Sequence, residues 1–186
     1  METKKWMIVM ILLVCAAGPM LAMGGNGKQN GGGTTPVLTE KEASDIIFLR
    51  EEEKVARDVY LAMFDLYGAQ IFANISVSEQ RHMDSVKSLI DKYGLQEPVV
   101  DDTPGAFTNT VLAEIYGQLI EKGSLSLKDA LEVGVIIEEM DIHDIEVEML
   151  PDAVQQDVKR VLTNLLAGSY SHLDAFTTQL DLPAVQ

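Results

Sequence analysis

The chain has 186 residues, 47% of them hydrophobic, and a single cysteine, Cys15. That is enough for one domain with a real core, and it excludes disulfides and thiolate metal sites from the folded part. A formal net charge of −15 argues against nucleic acid as a partner, because phosphates would be repelled.

Residues 1–23 read as an export signal. Lys4 and Lys5 precede an apolar run from Trp6 to Ala17, followed by a Gly18-Pro19 break and a small-residue site near Ala22. The run is shorter than the roughly 20 residues of a spanning helix. Membrane attachment is therefore expected only through this segment, and only if it stays uncleaved; the expected location is outside the cytoplasm, in a periplasm or at the cell surface. Residues 24–37 form a Gly-rich tether, and the domain proper covers 38–182.

From there the pattern is helical, without a convincing alternating strand. Thr39-Glu40-Lys41-Glu42 is a capping box and Gly68 a stop, which predicts a first helix over 40–67. A second runs over 71–93 and stops at Gly94. A loop with Pro98, Asp101-Asp102 and Pro104-Gly105 leads into a short helix over 109–122. Ser126 with Asp129 caps a third long helix over 127–149, and Pro151-Asp152 opens a fourth over 152–180. Short connections make each pair an antiparallel hairpin, and the long segment between the pairs can cross the length of a bundle. The expected fold class is all-α, a ferritin-like four-helix bundle with a short extra helix in its crossover.

Each long helix carries an apolar seam stepping by three and four residues. In the first, Ile46, Leu49, Ala56, Tyr60, Met63 and Tyr67 are interrupted by Glu53. In the second, Phe72, Ile75, Val86, Leu89 and Tyr93 are interrupted by Glu79 and His82. Leu127, Leu131, Gly134 and Ile145 are interrupted by Glu138 and Asp141. In the fourth, Val158, Leu162, Leu165 and Phe176 are interrupted by Ser169 and His172. Burying such groups is costly unless something compensates them. Four like charges in one core would raise one another's pKa values. Two divalent cations would neutralise them, and the mixture of oxygen and nitrogen donors suits iron or manganese, with zinc as a third choice. The candidate metal ligands are thus Glu53, Glu79, His82, Glu138, Asp141 and His172. Tyr60, one heptad after Glu53, is placed to donate its hydroxyl to a ligating carboxylate. Glu51 and Glu52 are expected to be solvated. His143 falls on a solvent-facing stripe with Glu132, Glu139 and Glu146.

Glu53-Lys-Val-Ala56-Arg-Asp-Val-Tyr60 resembles the first-helix motif of rubrerythrins, and Glu79-Gln-Arg-His82 resembles the Glu-x-x-His of ferritin-like di-iron proteins. Glu138-Glu-Met-Asp141 looks like the rubrerythrin third helix. The stretch 38–180, with Gly168-Ser-Tyr-Ser-His-Leu-Asp-Ala-Phe176, is similar to a ferritin-like family, domain of unknown function 2202. The resemblance implies metal ligation by Glu53, Glu79, His82, Glu138 and His172. It also exposes a departure: where the superfamily has a second Glu-x-x-His, this chain has Ser169-Tyr-Ser-His172, so either Asp141 completes a two-metal site or one position is weakened. The rubredoxin-like Cys motif of many rubrerythrins is missing, so no electron carrier is built in. The resulting expectation is a di-iron or di-manganese oxidoreductase acting on peroxide, oxygen or ferrous iron, supplied by an unidentified electron donor. The alternatives are a non-enzymatic metal buffer of the cell envelope and a helical interaction module. Pairing into a homodimer stays open.

Overall fold

Capping chemistry sets the helix ends in the computed structural model, which describes residues 37–182. The expected export signal, and the expected tether up to residue 36, lie outside the described residues. The helices are α1 (Glu40–Tyr67), α2 (Gln70–Tyr93), α3 (Thr110–Gly123), α4 (Leu127–His143) and α5 (Gln156–Asp181), and no strand occurs among the described residues. At the start of α1, the Glu42 N–H donates to Thr39 Oγ1 at 3.1 Å while the Thr39 N–H donates to Glu42 Oε2 at 2.9 Å. Gly68 and Gly94 end α1 and α2 in the left-handed conformation, at φ 64° and 66°. Asn109 caps α3 and Ser126 caps α4.

Two expected boundaries are corrected. The third long helix is not α-helical to residue 149: α4 ends at His143 and continues as a π-helical segment, Asp144–Met149. The Leu150 N–H bonds to the Ile145 carbonyl, five residues back, at 2.9 Å. Nor does the last helix start at Pro151-Asp152. It starts at Gln156, because the Val154 and Gln155 N–H groups are held by Glu42 Oε1 at 2.7 and 2.8 Å. One carboxylate therefore closes the start of α1 and ties it to the entrance of α5.

The short links make α1–α2 one hairpin and α4–α5 the other, while α3 packs on both α1 and α4. Helix α1 is the most enclosed element: every residue from Leu49 to Tyr60 is buried. Its charged side chains on this stretch hold the crossover that runs from Gly94 to Asn109. Arg50 Nε donates to Glu97 at 3.1 Å, Lys54 Nζ to the Thr103 carbonyl at 2.9 Å, and Arg57 to Asp102 at 2.7 Å. Asp58 accepts the Gly105 N–H at 3.0 Å, and Glu51 accepts the Asn109 N–H at 3.0 Å. Glu51 and Glu52, expected in solvent, are both buried; for Glu51 the cause is this capping of the loop before α3. Loop backbone groups need partners, and α1 supplies them.

The apolar core is split in two. One cluster contains Tyr60, Met63, Phe72, Leu131 and Phe176, and the other Ile46, Leu49, Val86, Ile145, Leu162 and Leu165. All the interrupted seam positions lie between these clusters. They form a single polar layer across the helices.

Candidate metal centre

Five side chains meet in that layer. Glu53 comes from α1, Glu79 and His82 from α2, Glu138 from α4 and His172 from α5. They fall into two groups, each with ligand atoms within 4.8 Å of one another: Glu53, Glu79 and His82, and Glu79, Glu138 and His172. Glu79 belongs to both. Its Oε2 lies 2.7 Å from His82 Nδ1 and its Oε1 lies 2.8 Å from His172 Nδ1. His82 Nδ1 is also 3.1 Å from Glu53 Oε2, and His172 Nδ1 is 3.5 Å from Glu138 Oε2. The two imidazoles stack at 5.6 Å between centroids.

The polar satisfaction of the layer is incomplete. Neither oxygen of Glu79 has a hydrogen-bond partner despite the short contacts, nor have Glu53 Oε1, Glu138 Oε2 and His172 Nδ1. Atoms that crowd to 2.8 Å without hydrogen-bond geometry converge on shared points instead of donating to one another. This donor set, carboxylate oxygen and imidazole nitrogen around two points with one carboxylate common to both, fits a pair of divalent cations. The three carboxylates and Asp141 would balance two such ions.

Without a cation, protons take up the charge. Burial pushes Glu53 up to about 8 against the pull of His82. Burial likewise drives Glu138 to about 7, with His172 opposing and Glu79 adding to it. Burial disfavours the charged form of Glu79 too, but the two imidazoles overcome it and hold the carboxylate down to about 2. His82 is desolvated, yet Glu53 and Glu79 raise it to about 10; His172, beside Glu138 and Glu79, rises to about 9.

Tyr60 donates its hydroxyl to Glu138 Oε1 at 2.6 Å and packs on Phe72 and Phe176, whose rings lie 6.3 and 5.3 Å from its own. Asp141 is buried with Oδ2 unpartnered but belongs to neither group of three. Burial raises it well above the usual carboxylate range, and Glu53, Glu52, Glu138 and Glu79 add to the shift. Ser169 is buried, and its Oγ donates back to the Leu165 carbonyl at 3.2 Å. His143 is half-buried at the end of α4, away from both groups.

Sequence reasoning missed Glu52. Both its oxygens are buried without a hydrogen-bonding donor, and burial together with Asp144 raises its carboxyl well above the ordinary range. The only signal was its place in the run Glu51-Glu52-Glu53, where one seam position already pointed inward.

The family model described as "Uncharacterized protein domain (DUF2202)" matches residues 42–185. The chain is 45% identical over 144 residues to "Uncharacterized protein MJ0754" of Methanocaldococcus jannaschii, a match covering 77% of each chain. A crystal structure of the hypothetical protein MJ0754, from Methanococcus jannaschii, superposes with a TM-score of 0.76 at 43% identity, covering 85% of this chain and 86% of that one.

Proposed function

We propose a function from one premise: the chain belongs to the DUF2202 family. The reading is a ferritin-like four-helix bundle that holds two divalent cations, iron or manganese, and acts as an oxidoreductase on peroxide, oxygen or ferrous iron. The observation that carries it is the double membership of Glu79, one oxygen in each group of three donors. A glutamate from each of two helices with a Glu-x-x-His on each of the other two is the ligand pattern of ferritin-like metal bundles; Glu53, Glu138 and Glu79-Gln-Arg-His82 match it, and α5 supplies His172 alone.

In this reading Glu53 and His82 would hold one ion and Glu138 and His172 the other, with Glu79 offering one oxygen to each group. The chemistry a redox-active metal would supply when bound is reduction of a peroxide or oxygen, with an external donor restoring the electrons. The chain's own groups do the rest. The apolar clusters above and below the layer keep bulk water out. Tyr60 fixes the Glu138 carboxylate through its hydroxyl. The imidazoles are the more open side of the layer, 11% exposed in their side chains where the carboxylates of Glu53 and Glu138 are fully enclosed. A small substrate therefore approaches between α2 and α5.

Ser169 favours a second reading, metal holding without turnover, since α5 offers one donor where the related pattern has two. Elemental analysis of natively purified protein, followed by hydrogen peroxide consumption by the iron-loaded form, separates the readings. A metal-to-protein ratio near two with peroxide turnover supports the oxidoreductase, and the same ratio without turnover supports the metal-holding protein. A ratio near zero after metal reconstitution overturns both.

A further inference from the structure

We infer that Gly168 of α5 is a positioning residue for His82, aiming its Nδ1 into the layer by leaving no room behind the ring. A Cβ built on Gly168 would lie 2.6 Å from His82 Nε2 and 2.7 Å from its Cε1. Real side chains do not tolerate such approaches. The back edge of the imidazole thus rests on the α5 backbone, and its front nitrogen is the atom facing Glu79 and Glu53, at 2.7 and 3.1 Å. On its other side the ring stacks on His172, four residues beyond Gly168 on the same helix. Helix α5 therefore contributes to the half of the layer held by α1 and α2, although it has no ligand atom there.

Helix propensity sharpens the inference. Glycine inside a helix is unfavourable relative to alanine, and Gly168 sits in the middle of α5 with no left-handed φ to require it. Only the approach of His82 accounts for it. Adding a methyl group forces the ring to swing, and a ligand atom displaced by about an ångström loses its geometry.

The inference rests on the paired-cation reading, and the test keeps the two apart. Co(II) titration of the full-length protein counts ions and their affinities in wild type, Gly168→Ala, His82→Ala and the double variant. Gly168→Ala is expected to weaken one of two ions at least tenfold and to leave the other near wild type. In the His82→Ala background the same change should have no further effect. Wild-type binding of both ions by Gly168→Ala overturns the inference, as does equal weakening with or without His82. If Gly168→Ala fails to fold, the double variant must fold, since the clash is gone; its failure overturns the inference as well. Imidazole nitrogen resonances of the metal-free protein give a readout that needs no cation. Gly168→Ala should move those of His82 and leave those of His143 in place. If wild type binds no Co(II), the paired-cation reading falls, and these resonances alone decide whether Gly168 positions the ring.

Discussion

The Tyr60 hydroxyl and Glu138 Oε1 are 2.6 Å apart, a hydrogen bond joining α1 to α4 across the bundle. Burial and the adjacent Glu138 push the phenol well above its ordinary pKa, so it stays a donor. Tyr60→Phe keeps the ring on Phe72 and Phe176 and removes only this bond. A ligand that loses such support typically holds its metal about ten- to a hundred-fold less tightly. The expected result is selective weakening of the ion held by Glu79, Glu138 and His172, measured by metal titration. Equal weakening of both ions would mean the hydroxyl supports the fold rather than one position.

Stability of the metal-free protein should fall as pH rises. His82 and His172 titrate near 10 and 9 in the folded chain against an ordinary 6.5, and Glu53 and Glu138 near 8 and 7 against 4.5. Each raised group contributes stability that is complete below its unfolded value and lost as pH climbs through its folded one. Glu79, held near 2, has the opposite sign: its contribution is present above about 4.5 and lost toward 2. Thermal melting after verified metal removal should therefore decline as pH rises from 4.5 to 10, through the carboxyls first and then the imidazoles, and again as it falls below 4.5. A cation displaces the same protons, so its binding should tighten with rising pH and release protons in calorimetry. A melting temperature that is flat from pH 6.5 to 10 would count against the layer as described.

Glu52→Gln should stabilise the metal-free protein at neutral pH. The buried carboxyl has no donor and faces Asp144, so its folded pKa is raised and its ionised form is disfavoured. An amide removes the charge at nearly the same volume. Relief of about 1 kcal/mol would raise the melting temperature by roughly 2–4 °C. A lower melting temperature would show that the ionised Glu52 has a partner that matters.

Glu42→Ala tests the link between the two ends of the chain's fold. The carboxylate accepts N–H groups from Thr39, Val154 and Gln155. Leaving these donors unpaired should cost about 2 kcal/mol, or roughly 4–8 °C. Metal stoichiometry, set a full cluster of apolar residues away, should not change.

The seams of α1 and α5 show how much was legible in the sequence. Val158, Leu162, Leu165, Ser169, His172 and Phe176 are the residues α5 buries, because a period of three and four is dictated by helix geometry alone. Helix α1 shows the converse. Its seam was readable, but Arg50, Glu51, Lys54 and Arg57 are buried too, since their partners are carboxylates and backbone groups of a crossover some 45 to 58 residues away. No local period encodes such distant polar contacts. The π-helical register at Asp144–Met149 was likewise invisible: its hydrogen bonds reach one residue further than those of an α-helix, and the side-chain pattern over six residues does not distinguish them.

In the paired-cation reading, Asp141 and Ser169 together would decide whether the second ion is fully held. Ser169 spends its hydroxyl on the Leu165 carbonyl, so α5 presents only His172 to the layer. Asp141 Oδ2 is buried and free of hydrogen bonds, among carboxylates that all disfavour its ionisation. A bound cation would reverse that preference and could draw Asp141 in as a ligand. Asp141→Asn should then weaken cation binding, because an amide oxygen carries no charge, while stabilising the metal-free fold by removing repulsion. Ser169→Glu would recreate a Glu-x-x-His pair on the face that carries His172. If Asp141 does not reach the ion, Ser169→Glu should tighten the weaker position; if Asp141 already fills the place, the added carboxylate should destabilise the core without a gain in affinity. The two variants separate these outcomes when metal titration and melting are measured on both. Asp141→Asn leaving metal content and affinity unchanged, together with no gain from Ser169→Glu, would exclude both positions from the cation site and leave Glu53, Glu79, His82, Glu138 and His172 as its whole donor set.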